Sequence, residues 1–215
     1  MSITTDLQHI KNAIPTGVTL VAVSKTKPTE SILEAYQAGQ KVFGENKAQE
    51  LAQKAKLLPN DIEWHMIGHL QSNKVKYIAP FVSLIHAVDS EKLLKEINKR
   101  AAQNNRVIDC LLQFHIAQES NKFGLNKEEA QKILVKQSQY PNIRIIGLMG
   151  MATFTSDKAQ IRSEFSLLKS IFDNIQKEYT EIKTLSMGMS GDYTIAIEEG
   201  SNMIRVGSAI FGTRQ

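Results

Sequence analysis

The stretch "VTLVAVSKTKP", residues 18–28, runs from an apolar segment into a polar turn that contains no glycine. A strand is predicted at 18–23, and its continuous apolar run at 20–23 indicates that it is covered on both faces, as strands of parallel sheets are. An open doubly wound sheet usually has a glycine-rich turn after its first strand, whereas this turn is "SKTKP". The stretch therefore favours a closed barrel. It leaves Lys25 either as a solvated residue at a strand end or as a chemically used amine.

Seven further apolar segments are predicted to be strands, and segments with helical spacing separate them. These strands are predicted at 41–44, 63–68, 82–88, 107–114, 143–149, 182–187 and 202–207. Eight β/α units in 215 residues, without a linker or a long repeat, predict one domain over residues 1–215. Its expected fold class is α/β, a (β/α)8 TIM barrel, with the open doubly wound sheet as the alternative.

Helices are predicted between and before these strands. Apolar residues at helical spacing predict helices at 3–14 and 158–178. A further helix is predicted at 190–199 from its ends, because Ser190 is a favourable N-cap and Gly200 a favourable C-terminal stop.

The composition is that of a soluble globular protein, with 42% hydrophobic and 22% charged residues. The net charge of +4 comes from 26 basic and 22 acidic residues scattered along the chain. We therefore expect no nucleic-acid surface, although a basic excess suits an anionic small ligand. A single cysteine, Cys110, excludes an internal disulfide and a thiolate metal cluster. With no secretory signal and no apolar run near the roughly 18 residues of a membrane span, we expect a cytoplasmic protein without membrane contact.

Two glycine- and serine-containing loops follow the last two predicted strands. They are "MGMSGD" (187–192) and "RVGSAIFG" (205–212). Barrels commonly bind phosphate in the loops after strands seven and eight, through backbone N–H groups and hydroxyls. Either loop alone would be explained by turn geometry, but the two together favour a phosphate site at Ser190, Gly207 and Ser208.

Several buried polar side chains are expected to need partners near the barrel mouth. Arg205 lies within the last strand, and its acceptor is either a ligand atom or a carboxylate such as that of Glu45, because a buried unpaired charge is costly. His65, His69 and His86 come from different elements without metal-ligand spacing, so we expect hydrogen-bonded histidines and no metal site.

Lys25, a phosphate site across the barrel and an arginine between them together fit one ligand. A lysine with a lowered pKa attacks an aldehyde and forms a Schiff base. Pyridoxal 5′-phosphate is an aldehyde that also carries a phosphate and an aromatic nitrogen, so it is the predicted cofactor.

The sequence resembles the pyridoxal phosphate homeostasis protein family, single-domain relatives of the N-terminal barrel of alanine racemase. The resemblance runs from Val18 to Arg214, nearly the whole chain. The motifs that carry it are "VSKTKP" (23–28), "FGEN" (43–46), "WHMIGHLQSNK" (64–74), "ESNKFG" (119–124), "GLMGM" (147–151), "LSMGMSGD" (185–192) and "RVGSAIFG" (205–212). The chain departs from the family at Ala87, where a small polar residue usually follows the strand-four histidine.

The resemblance implies a role for each candidate site residue. Lys25 matches the lysine that forms the aldimine, Arg205 the arginine facing the pyridine nitrogen, and Asn46 a residue beside the cofactor ring. The phosphate ligands of the family match Ser190, Gly207 and Ser208.

The resemblance also implies a carrier or regulator of pyridoxal 5′-phosphate that takes part in vitamin B6 homeostasis, without a catalytic residue. Arg205 cannot accept a proton from the ring nitrogen, so the electron sink that pyridoxal phosphate enzymes use would be weak. The expected partners are the cofactor and apo-enzymes that depend on it, and we expect a monomer. The alternatives are an amino acid racemase, with Tyr193 or His65 as the second acid/base, or another pyridoxal-phosphate-dependent enzyme, and a Schiff-base aldolase that uses Lys25 on a sugar phosphate.

Overall fold

The computed structural model of the chain describes residues 2–118 and 123–212. Within them, eight parallel strands form a closed barrel in the order of the chain, because the last strand pairs with the first. In this closing pair Val21 lies opposite Arg205. The predicted (β/α)8 barrel is confirmed, and the open doubly wound sheet is excluded.

All eight predicted strands form, and their ends differ from the predicted ones by at most two residues. They are β1 Thr19–Val23, β2 Val42–Glu45, β3 Glu63–Met66, β4 Leu84–Val88, β5 Ile108–Gln113, β6 Ile143–Met149, β7 Thr184–Ser186 and β8 Met203–Val206. Because the strands are parallel, their carboxyl ends form one rim, where residues distant in sequence meet.

Helices precede the barrel and connect its strands, with a 3₁₀ helix between β3 and β4. They are α1 Ile3–Ala13, α2 Thr29–Gln37, α3 Ala48–Ala55, α4 Glu91–Gln103, α5 Lys127–Val135, α6 Lys158–Gln176, α7 Tyr193–Glu198 and α8 Ser208–Phe211, with 3₁₀ helices Ser72–Tyr77 and Gln137–Gln139. The helices predicted at 3–14 and 158–178 are thus confirmed. In the described part of the chain, no helix is both long and apolar enough to cross a membrane.

The helix predicted at 190–199 is shorter at its start than expected. It begins at Tyr193, and the side chain of Ser190 does not cap it but accepts a hydrogen bond from the N–H of Gly207 at 3.1 Å. The prediction of Ser190 as an N-cap is wrong, because its hydroxyl accepts from a donor in the strand-eight loop and the helix begins three residues after it. Gly200 does end the helix, with φ 94° and its N–H bonded to the carbonyl oxygen of Ile197.

Side chains along the strands alternate between an outer and an inner hydrophobic layer. In β1, Leu20 and Ala22 pack under the helices, whereas Val21 points into the barrel. The inner cluster consists of Val21, Ile67, Leu84, Ala87, Leu111, Met149 and Met203. In β8 the inward residue after Met203 is Arg205, which is also buried. The barrel interior therefore changes from apolar to polar toward its carboxyl rim.

Candidate functional site

A cavity of about 610 Å³ opens at the carboxyl rim of the barrel. Its walls come from the ends of β1, β2, β3 and β5 and from the loops after β6, β7 and β8. All six residues that the sequence predicted as cofactor ligands line it, namely Lys25, Asn46, Ser190, Arg205, Gly207 and Ser208. Residues separated by up to 183 positions, from 25 to 208, are thus brought to one site.

The loops after β7 and β8 form a cradle with free backbone donors. Ser190 and Gly207 are joined by the hydrogen bond described above. Within the described residues, the N–H groups of Ser190, Gly191 and Ser208 have no hydrogen-bond acceptor. A Cβ atom on Gly207 would lie 3.1 Å from the carbonyl oxygen of Val23, so glycine keeps this loop close against β1. Such a set of uncharged donors suits a phosphate group.

Arg205 is buried at the floor of the cavity, with 4% of its surface exposed. Its Nη1 donates to Ser186 Oγ at 2.5 Å, and its Nη2 donates to the carbonyl oxygen of Gly150 at 3.0 Å. Burial lowers the pKa of Arg205 to about 10, and the charge of Asp192 opposes this shift. The guanidinium is therefore charged at neutral pH, and it can donate but not accept a proton.

Glu45, named as a possible acceptor for Arg205, contacts other groups. Its Oε1 accepts from Ser24 Oγ and from Lys54 Nζ, both at 2.7 Å. The expectation that Glu45 accepts from Arg205 is wrong. Glu45 is on β2, which β1 separates from β8, whereas Arg205 on β8 binds Ser186 on the adjacent strand β7.

A chain of hydrogen bonds continues from Arg205 into the barrel. His86 Nδ1 lies 3.1 Å from Ser186 Oγ, and His86 Nε2 lies 3.0 Å from His65 Nδ1. Ser186 thus links the guanidinium of Arg205 to the two imidazole rings. Burial lowers the pKa of His65 to about 3 and that of His86 well below its ordinary value, so both rings are neutral.

The remaining predicted histidine is also hydrogen-bonded. His69 Nδ1 lies 3.0 Å from Asp89 Oδ2, and its ring stacks on Phe123 with centroids 3.8 Å apart. The expectation of hydrogen-bonded histidines is confirmed for His65, His69 and His86. The first four residues of the "ESNKFG" motif, 119–122, and Arg214 at the end of the resemblance lie outside the described residues.

Sequence reasoning missed Ser186, which links Arg205 to the histidines. Its place at the end of the seventh strand, two residues before Gly188, could have indicated that Ser186 lies at the carboxyl rim with the other site residues. Two charged residues near Lys25, Glu50 and Lys54, were missed as well, and Glu45 was assigned to the wrong partner. Glu50 and Lys54 carry only the i,i+4 spacing common on exposed helices.

Acidification is expected to destabilise the fold through the buried histidines. Because the pKa of His65 falls from 6.5 to about 3 on folding, the unfolded chain binds more protons between these values. The free energy of unfolding should therefore decrease as the pH falls through this window, by up to ~1.4 kcal/mol per pH unit for one histidine. Urea unfolding between about pH 7 and about pH 4 measures this slope.

The matched comparison is His65→Gln against His9→Gln, since His9 lies exposed on α1. Carboxylates contribute equally to both variants, so only His65→Gln should show a shallower slope. The same slope in both variants would show that His65 is not held neutral by the fold.

The chain matches the family model described as "Alanine racemase, N-terminal domain" over residues 2–215. It is 41% identical over 198 residues to the pyridoxal phosphate homeostasis protein of Aquifex aeolicus, covering 91% of this chain and 87% of that protein. Two structures of PipY from Synechococcus elongatus are similar at 34% identity over 98% of this chain and 100% of PipY. The TM-score is 0.93 for PipY without pyridoxal phosphate and 0.89 for PipY with it bound.

Proposed function

The chain belongs to the alanine racemase N-terminal domain family, among its pyridoxal phosphate homeostasis proteins, and we propose that it holds pyridoxal 5′-phosphate in the cavity at the barrel rim. The observation that carries this proposal is that six residues chosen from the sequence line one cavity. The relative PipY, whose structure contains this cofactor, supports it. We assign the cofactor to the whole chain, 1–215, as a single binding domain.

The groups around the cavity fit the three chemical parts of this cofactor. Lys25, whose side chain ends in an amine that can react with an aldehyde, lines the cavity, and the free N–H groups of the Ser190 and Ser208 loops suit the phosphate. The guanidinium of Arg205 is a donor for an aromatic nitrogen, which is an acceptor. Gly68 packs against Asn46, since a Cβ on that glycine would lie 2.7 Å from the Asn46 carbonyl oxygen, and this contact fixes Asn46 at the wall.

Each side chain then has a defined part in holding the ligand. Lys25 bonds covalently to it as a lysine aldimine: the amine nitrogen adds to the aldehyde carbon, a C=N bond forms and one water leaves. Asn46 lies beside the ring, and Arg205 faces the ring nitrogen. The phosphate is held by Ser190, Gly207 and Ser208.

We propose that the chain holds and releases the cofactor for apo-enzymes, as a monomer, without turning over a substrate. The bound cofactor acts as an electron sink for substrate carbanions when its ring nitrogen is protonated. Arg205 donates at this position, and its bonds to Ser186 and Gly150 keep the guanidinium from rotating away. Neither Tyr193 nor His65, the two acid/base replacements left open by the sequence, lines the cavity.

Titration of the apo-protein with pyridoxal 5′-phosphate tests the binding proposal. We expect a visible absorbance band that saturates at one cofactor per chain and survives dialysis. A protein that stays colourless would overturn the proposal.

The absence of turnover is tested by hydrogen exchange. The holo-protein is incubated with L-alanine in heavy water, and exchange at the α-carbon is followed by NMR. We expect a rate no higher than that of free pyridoxal 5′-phosphate with the same amino acid. A rate well above this control would favour the racemase alternative.

A further inference from the structure

The turn that carries Lys25 has a backbone conformation that its sequence does not favour. The N–H of Lys27 donates to the carbonyl oxygen of Ser24 at 3.0 Å, so Lys25 and Thr26 occupy the centre of the turn. Thr26 has φ 64°, in the left-handed region. A β-branched residue adopts this region only where surrounding contacts impose it.

Those contacts come from three charged residues, Glu45 at the end of β2 and Glu50 and Lys54 on α3, which we call the clamp. Lys54 Nζ donates to Glu45 Oε1 and to Glu50 Oε1, both at 2.7 Å, and to the carbonyl oxygen of Ser24 at 2.8 Å. All three protons of this ammonium group are thereby used.

The clamp forms hydrogen bonds with the residues directly before and after Lys25. Before it, the Ser24 hydroxyl donates to Glu45 Oε1 at 2.7 Å. After it, the N–H of Thr26 donates to Glu50 Oε1 at 2.6 Å. The residues on both sides of Lys25 are therefore held by two carboxylates that a single lysine, Lys54, joins, and Lys54 itself binds the Ser24 carbonyl oxygen.

Stability alone does not account for the clamp. Glu45 is fully buried and Lys54 is 7% exposed, and Glu45 Oε2 has no hydrogen-bond partner among the described residues. Buried ion pairs of this kind are often no more stabilising than apolar side chains of the same volume. An unsatisfied buried oxygen adds a cost that calls for another explanation.

We propose that Glu45, Glu50 and Lys54 are positioning residues that hold the turn so that the amine of Lys25 enters the cavity ready for its covalent bond. None of the three lines the cavity, so they act only through the turn. This inference rests on the proposed function, because it assigns the clamp to the covalent step of cofactor binding.

Two probes separate positioning from a general structural role. Pyridoxal 5′-phosphate needs Lys25 for its covalent bond, whereas pyridoxine 5′-phosphate carries an alcohol in place of the aldehyde and can use only the ring and phosphate contacts. The covalent step is followed by stopped-flow visible absorbance, and binding of the alcohol by calorimetry. The variants are Glu50→Ala, which removes the acceptor for Thr26, Glu50→Gln, which keeps an acceptor oxygen, and Lys54→Met.

We expect Glu50→Ala and Lys54→Met to form the covalent bond at least about tenfold more slowly, because misplacing a reacting group by about 1 Å can cost about 100-fold. Glu50→Gln should retain more of the wild-type rate than Glu50→Ala. The affinity for pyridoxine 5′-phosphate should change by less than about threefold in all of them, since their cavity walls are intact. Gln49→Ala, an exposed position on the same helix, is the control for α3.

Wild-type rates in both Glu50→Ala and Lys54→Met would overturn the inference while leaving the proposed function intact. The inference would also be overturned if the variants lost affinity for pyridoxine 5′-phosphate by as large a factor as they lost rate with pyridoxal 5′-phosphate. The clamp would then be a structural support of the whole cavity. A wild-type protein that forms no covalent bond at all would instead overturn the proposed function. Glu50 is only partly buried, so Glu50→Ala is expected to fold even if Lys54→Met does not.

Discussion

We expect that replacing Lys25 by alanine abolishes the visible absorbance band that the proposed function predicts for the wild-type protein with pyridoxal 5′-phosphate. The variant lacks the amine that bonds to the aldehyde, and only the ring and phosphate contacts remain. We expect the Kd to rise at least ~100-fold, equivalent to about 2.7 kcal/mol. Absorbance titration and equilibrium dialysis measure the two effects on the same samples.

Borohydride reduction followed by peptide mass analysis identifies the lysine that carries the cofactor. In the wild type the added mass should be on the peptide containing Lys25, and in Lys25→Ala it should be absent. Lys47→Ala is the matched control, because Lys47 is exposed, follows Asn46 directly and does not line the cavity. If Lys25→Ala keeps the band and reduction labels another lysine, then Lys25 is not the covalent attachment point.

The fold could be predicted from the sequence because parallel strands under helices leave a simple pattern. The run at 20–23 and several of its counterparts are continuous apolar runs, and this pattern does not depend on which strands are neighbours. The turn after the first strand lacks glycine, which was enough to prefer the closed barrel. In a barrel, the loops that follow the strands all lie at the carboxyl rim. This rule is enough to place Lys25, after the first strand, and Ser208, after the eighth, in the same site.

The exact contacts of the site could not be predicted, since they depend on side-chain geometry between distant elements. Ser190 was expected to cap α7, yet its hydroxyl binds the N–H of Gly207 in the next loop. Both uses are chemically reasonable for a serine, and only the distance decides between them. Likewise, Glu45 was named as a possible acceptor for Arg205, but in the barrel Arg205 on β8 meets Ser186 on the adjacent β7 instead.

The clamp shows the same limit more strongly. Lys54 lies 29 residues after Lys25, and its spacing to Glu50 is that of an ordinary surface ion pair. Nothing in the sequence indicates that its ammonium group reaches the carbonyl oxygen of Ser24. A residue that acts through the backbone of another has no pattern of its own in a single sequence.

Adding a negative charge at Ser208 is expected to weaken binding of pyridoxal 5′-phosphate at least ~30-fold in the variant Ser208→Glu. Two like charges about 4 Å apart near a protein surface repel each other by several kcal/mol at low salt. Ser208 is exposed, and its side chain makes no hydrogen bond within the described residues, so the change should not disturb the fold. Added salt should reduce this loss of affinity, because salt screens the repulsion between exposed charges.

Two comparisons show whether the loss of affinity in Ser208→Glu comes from repulsion of the ligand's phosphate group. Ser208→Gln has nearly the shape of Ser208→Glu without the charge, so its Kd for pyridoxal 5′-phosphate should rise by only a few-fold. Pyridoxal lacks the phosphate, so its Kd should be nearly the same for the wild type and for both variants. If Ser208→Glu and Ser208→Gln weaken the phosphorylated ligand equally, or if pyridoxal loses as much affinity, the phosphate does not lie at the loop after β8. The anion of the ligand would then have to meet other donors along the rim, and the proposed orientation of the ligand between Lys25 and the loop after β8 would be wrong.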